Sequence, residues 1–123
     1  MSIIRKPYII SVWDDVWDSV EGKFVEKRLG IIGSDKMETQ SRVIEPELVR
    51  NTNGTRTLTF KLYKRYIDNI TGELVYNPFY DWLVNERKVK LNLDGVWYDF
   101  LVKNIQESST DYLCVYQLED ALV

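Results

Sequence analysis

The chain predicts an all-β, mostly antiparallel fold, a small barrel or sandwich with one short helix near residues 78–85. Three observations lead there. Glu86 to Ile105 reads as two strands around a tight turn: Val89, Leu91 and Leu93 alternate with Lys88, Lys90 and Asn92, the period of a half-buried strand. Asp94-Gly95 supplies the two residues that tolerate positive φ in a type I′ turn. On the return strand Val96, Tyr98, Phe100 and Val102 share one face, while Trp97 and Leu101 lie on the other. A strand apolar on both faces along part of its length belongs inside a sheet. This hairpin is expected at the centre of the fold, with Leu91, Phe100 and Val115 buried.

Pro7 to Trp13 is β-branched and aromatic and reads as the first strand. Glu21-Gly22 marks a turn, and Lys23 to Ile32 reads as its hairpin partner. Gly33-Ser34-Asp35 breaks the pattern. From Lys36 to Arg50 the periodicity is weak, and Pro46 suggests an extended segment that avoids ladder pairing. After the turn Asn51 to Gly54, Thr55 to Tyr66 alternates cleanly, with Leu58, Phe60 and Leu62 on one face. Asp68 to Gly72 is a turn and Glu73 to Tyr76 a short strand. Asn77-Pro78 reads as N-cap and first helical residue; Phe79, Trp82 and Leu83 then fall on one helix face, ending near Asn85. Gln106 to Thr110 reads as a polar turn, Asp111 to Gln117 as the last strand, and Leu118 to Val123 as a tail.

The 123 residues are expected to form a single domain, 1–123, able to bury a core without metals or disulfides. A composition 45% hydrophobic and 28% charged is that of an ordinary globular domain. The net charge of −3 gives no electrostatic footprint for nucleic acid. Cys114 is the single cysteine, so no internal bridge forms, and its place in an apolar alternating run makes it a core residue. No apolar leader or membrane-length run is present, so a soluble chain made in the cytoplasm is expected. The sequons at Asn53 and Asn69 then mark turns only.

Histidine is absent, which removes the commonest general base and metal ligand. A Ser-His-Asp triad is impossible, and the six glycines are scattered at turns rather than gathered in a phosphate loop. Asp14, Asp15 and Asp18 lack the spacing and glycine of a calcium loop. The expectation is therefore a non-enzymatic protein with no catalytic, cofactor-binding or metal-binding residues.

One stretch is open to a functional reading. Trp13, Asp14, Asp15, Trp17 and Asp18 combine two tryptophans four apart with three acids. Either a loop or short helical turn drops both rings onto the core, or the stretch is an exposed partner-contact patch. The first is favoured, because large aromatics usually bury most of their area.

The second half also carries a resemblance. Thr55-Arg56-Thr57-Leu58-Thr59-Phe60 is followed, after an insertion, by Phe79 and then Leu83-Val84-Asn85-Glu86-Arg87-Lys88-Val89-Lys90-Leu91. Next come Gly95-Val96-Trp97-Tyr98-Asp99-Phe100-Leu101-Val102-Lys103-Asn104-Ile105-Gln106-Glu107 and Tyr112-Leu113-Cys114-Val115-Tyr116-Gln117-Leu118-Glu119-Asp120-Ala121-Leu122. From Thr55 to Leu122 this resembles the N-terminal β-barrel domain of phage tail hub and tail-associated proteins. The resemblance implies a structural module in an oligomeric ring at a phage or prophage tail tip, joining tube to baseplate. Its partners would be other tail proteins or further copies of itself, in the bacterial host cytoplasm during assembly and in the virion tail afterwards. Hub proteins are usually much longer, so the chain is expected to be either a piece of one or a small phage protein reusing the domain. The latter allows an alternative: a phage-encoded protein that inhibits a bacterial defence protein by direct binding, its Trp13 to Asp18 stretch facing a basic partner surface.

Overall fold

A computed structural model describes residues 2–107 and 112–121 and shows a mostly antiparallel β fold with one short helix. The strands are β1 (Ser2–Ile3), β2 (Tyr8–Asp18), β3 (Lys23–Ser34), β4 (Ile44–Arg50), β5 (Arg56–Tyr63), β6 (Arg65–Ile67) and β7 (Leu74–Tyr76). Helix α1 (Phe79–Trp82) follows, then β8 (Lys88–Leu93), β9 (Val96–Glu107) and β10 (Leu113–Asp120). Eight strands form one sheet in the order β1-β4-β5-β10-β9-β8-β2-β3, and β6 and β7 form a separate small hairpin. Every pairing is antiparallel.

The predicted central hairpin is β8–β9. Leu93 pairs with Val96, and Asp94 and Gly95 turn the chain at φ 52° and 89°. Period-two alternation then sends one residue of each pair inward. Tyr8, Ile10 and Val12 of β2, Leu58, Phe60 and Leu62 of β5, and Val89 and Leu91 of β8 are buried. Phe100 and Val102 of β9 and Cys114, Tyr116 and Leu118 of β10 complete the core. Val115, expected to be buried, is half-buried: on β10 the core face belongs to Cys114, Tyr116 and Leu118, and Val115 points the other way.

The sheet curls until its two ends approach. The Val43 amide donates to the Ile32 carbonyl at 2.9 Å, joining the segment before β4 to β3. Two glycines in β3 permit this. A Cβ on Gly33 would collide with Cγ2 of Val43, and one on Gly30 would stand 2.7 Å from the ring of Trp82. Helix α1 thereby lays Trp82 over β3 while Leu83 enters the core. Asn77 fixes the helix. Fully buried, it donates from Nδ2 to the carbonyls of Ser41 and Tyr63, and its Oδ1 accepts the Phe79 amide.

Several boundaries differ from expectation. The segment Asp14–Asp18 is neither loop nor helical turn but the second half of β2, because Lys23–Arg28 continues the ladder beside it. The helix spans one turn rather than 78–85, since Leu83 leaves helical geometry at ψ 63° to reach the core. The strand predicted from Thr55 to Tyr66 breaks at Lys64, whose amide is taken by the Tyr112 carbonyl. β10 runs to Asp120, so Leu118 is core rather than tail. The weakly patterned 36–50 region contains β4; Pro46 fits at a bulge, with Glu45 at φ 51° and the register shifting between Ile44 and Glu47. The polar turn expected at 106–110 lies mostly outside the described residues, and so does Asp111.

Among the described residues the buried Tyr116 hydroxyl has no oxygen or nitrogen partner; it lies beside the Cys114 thiol, and burial raises its pKa far above the phenol range. Urea titrations followed by circular dichroism test this picture. Phe100→Ala is expected to cost about 3–5 kcal/mol as a core cavity, and Gly33→Ala about 1–3 kcal/mol through overpacking. Tyr116→Phe is expected to be neutral within about 1 kcal/mol or stabilising, because little hydrogen bonding is lost. A large loss for Tyr116→Phe would show a bonded hydroxyl.

Candidate functional site

β8 supports β2 only from Tyr8 to Trp13, where Trp13 pairs with Lys88. Among the described residues, β2 beyond that point pairs with β3 alone, from Asp14 opposite Lys27 to Asp18 opposite Lys23. The result is a two-stranded ribbon leaving the body. Five residues past Trp13, at strand rise, reach roughly 17 Å.

Trp13 and Trp17 share a face of β2 but not a fate. The Trp13 indole Nε1 donates to Ser11 Oγ at 2.9 Å, and Lys90 Nζ lies 4.4 Å from its ring. Trp13 therefore belongs to the body. Trp17 stands out on the ribbon, 59% exposed, directly opposite Phe24, 65% exposed, with ring centroids 5.2 Å apart and edge to face. Such a pair adds about 0.5–1.5 kcal/mol beyond its burial, so it stiffens the tip without hiding it. Val20 crowns the turn, 91% exposed.

The three acids of the stretch each have work inside the molecule. Asp18 Oδ1 accepts the amides of Val20 and Glu21, and its carbonyl accepts that of Gly22, which builds the turn. Asp15 meets Lys88 Nζ at 3.0 Å, and Asp14 meets Arg87 Nη1 at 3.0 Å. Glu26, opposite Asp15 across the ribbon, binds Lys90 at 2.8 Å and Lys88 at 3.2 Å. Lys90 first and Lys88 second hold its carboxyl below the usual range, while Asp15 and then Glu26 raise the Lys88 ammonium.

The structure thus divides the stretch singled out above. It keeps Trp17 at the tip, draws Trp13, Asp14 and Asp15 to the root, and gives Asp18 to the turn. It adds Phe24 and Val20, which sequence reasoning passed over. The signal was present: a hairpin closed from Asp18 to Lys23 sets Trp17 across from Phe24.

The strand registers place the ribbon, the end of β9, the start of β10 and the β6–β7 hairpin at the same end of the sheet. Ile67, Ile70, Leu74 and Tyr76 of that hairpin and its turn are exposed too. A cleft of about 240 Å³ at the ribbon root is lined by Trp13, Asp14, Arg87 and Lys88, whose charges already face one another. Among the described residues no cluster of three or more His, Cys, Asp or Glu side chains is placed to hold a metal, and no helix is long and apolar enough to cross a membrane. No protein-family model, curated protein or solved structure matches the chain.

Glu26 gives a pH dependence of stability. Its folded pKa is lowered, so its contribution is present above the unfolded carboxylate pKa and is lost as pH falls through the folded value. Glu26→Gln is expected to flatten the acid limb of a stability-versus-pH curve measured by urea titration. An acid limb identical in the variant would place the Glu26 ion pairs outside the stability balance.

Proposed function

We propose that the chain is a non-enzymatic assembly module that docks on neighbouring protein subunits through the tip of the β2–β3 ribbon. The observation behind this reading is the Trp17–Phe24 pair with Val20, large apolar groups left exposed at the end of a two-stranded ribbon that β8 does not reach. Aromatic anchors of this kind dominate the energy of protein interfaces when they enter a partner's pocket. With Asp14, Asp15 and Asp18 engaged internally, the contact is apolar rather than acidic. Exposed apolar groups of the β6–β7 hairpin at the same end widen the surface. The resemblance to tail hub proteins supplies the setting: a structural module of a phage or prophage tail tip.

Capture from a phage-infected lysate with the tagged chain as bait tests the proposal. Trp17→Ala is expected to weaken capture of tail proteins by about 2 kcal/mol or more, roughly 30-fold, in a variant that remains folded at the capture temperature. Unchanged capture would remove the ribbon tip from the interface. Retention of a bacterial defence protein instead of tail components would favour the inhibitor reading.

A further inference from the structure

The ribbon leaves the body at a place where its backbone is irregular. The β2–β3 register shifts between Ile10 and Ser11 and again between Val12 and Trp13. Gly30 lies across from Val12 and presents no side chain there. Shifts of this kind bend a strand and interrupt the ladder, so the strand pair bends at the root. Past it, β8 offers the ribbon no backbone partner.

Side chains take over where the ladder stops. Arg87, Lys88 and Lys90 line the β8 side, and Asp14, Asp15 and Glu26 line the ribbon. Asp14 and Asp15 belong to one ribbon strand and Glu26 to the other, so both strands are gripped. Lys88 bridges the two carboxylates that face each other across the ribbon, Asp15 and Glu26, and Lys90 joins Glu26 while covering the Trp13 ring. Two further charges adjoin the set: Lys27 lies opposite Asp14, and Asp99 of β9 lies beside Lys90.

We propose that these ion pairs form an electrostatic brace across the bend, so that the direction in which the ribbon presents Trp17 and Phe24 depends on ionic strength. Charges are screened beyond about 8 Å at physiological salt but beyond only about 3 Å at 1 M, which is the separation of these ion pairs. Lys88, the bridging residue, is the most exposed of the three cations, with its side chain 39% accessible against 20% for Arg87 and 19% for Lys90. Salt therefore loosens the Lys88 bridge between the ribbon strands before it reaches the more sheltered Arg87 and Lys90 pairs. The consequence for docking rests on the function proposed above; the swing of the ribbon does not.

Pulsed electron–electron spectroscopy tests the brace, with nitroxides at Ser19→Cys on the tip and Asn104→Cys on β9. Cys114 is buried and stays unlabelled. A narrow distance distribution is expected at 50 mM salt. At 1 M salt it is expected to shift and broaden by several ångströms, and the same is expected at low salt in Lys88→Met/Lys90→Met. A distribution unchanged by salt would overturn the proposal, whether or not the double variant folds, and would leave the ribbon fixed by its backbone and the Trp13 and Trp82 contacts. Trp17→Ala leaves the brace intact, so its effect on capture reports on docking and not on the brace.

Discussion

The architecture depends on how closely β3 is approached from its open side. An eight-stranded sheet with two unpaired edges must bury the inner face of its last strand against something. Here Gly33 admits Val43 and Gly30 admits the ring of Trp82, at distances no Cβ would allow. One backbone bond, Val43 to Ile32, fastens the seam. Ile32 and Val43 become fully buried as a result, and Leu83 is carried into the core with the helix. The saturated Asn77 amide is part of the same device, since it ties the chain before α1 to the carbonyls of Ser41 and Tyr63. Hydrogen bonds lost there would leave carbonyls unsatisfied in a dry seam, which costs more than the bonds themselves contribute.

The ribbon follows from unequal strand lengths. β2 and β3 have 11 and 12 residues, whereas β8, the strand that supports β2, has 6. The surplus ladder must leave the body. Its positions past Trp13 have no neighbouring strand on the β8 side. Trp17 and Phe24 lie there on the face of Trp13, opposite the core face of Tyr8, Ile10 and Val12, and pack edge to face.

The sequence made the core of the sheet legible, and physical reasons explain what it hid. Alternation in Leu58-Phe60-Leu62 and Val89-Leu91, with the Asp94-Gly95 turn, located β5, β8 and β9 because there one face is buried and the other wet. Alternation fails where burial is set by something other than a sheet face. β4 was obscure because a bulge at Glu45-Pro46 interrupts its period. Helix α1 was read too long because Leu83 has helical spacing from Phe79 yet reaches the core by leaving the helix. At the candidate site, residue type alone could not separate Trp13 from Trp17. The difference lies in where β8 ends, a tertiary fact, and the pairing of Asp14 with Arg87 joins residues 73 positions apart.

The distribution of charge along β3 bears on what kind of contact the ribbon is suited to. β3 is an edge strand, and a long exposed edge invites pairing with a foreign strand. Glu26, Lys27 and Arg28 place three consecutive charges in its middle, and the opposite edge of the sheet is the two-residue β1. Both edges are thereby poor templates for strand addition. The apolar groups are kept away from the charged middle, at the turn and its flanking pair. A surface arranged this way discourages backbone pairing and leaves side-chain insertion as the available mode. Insertion of an aromatic pair into a pocket is specific in shape, whereas edge pairing draws its affinity from main-chain hydrogen bonds. That contrast is consistent with the docking role proposed for the ribbon tip.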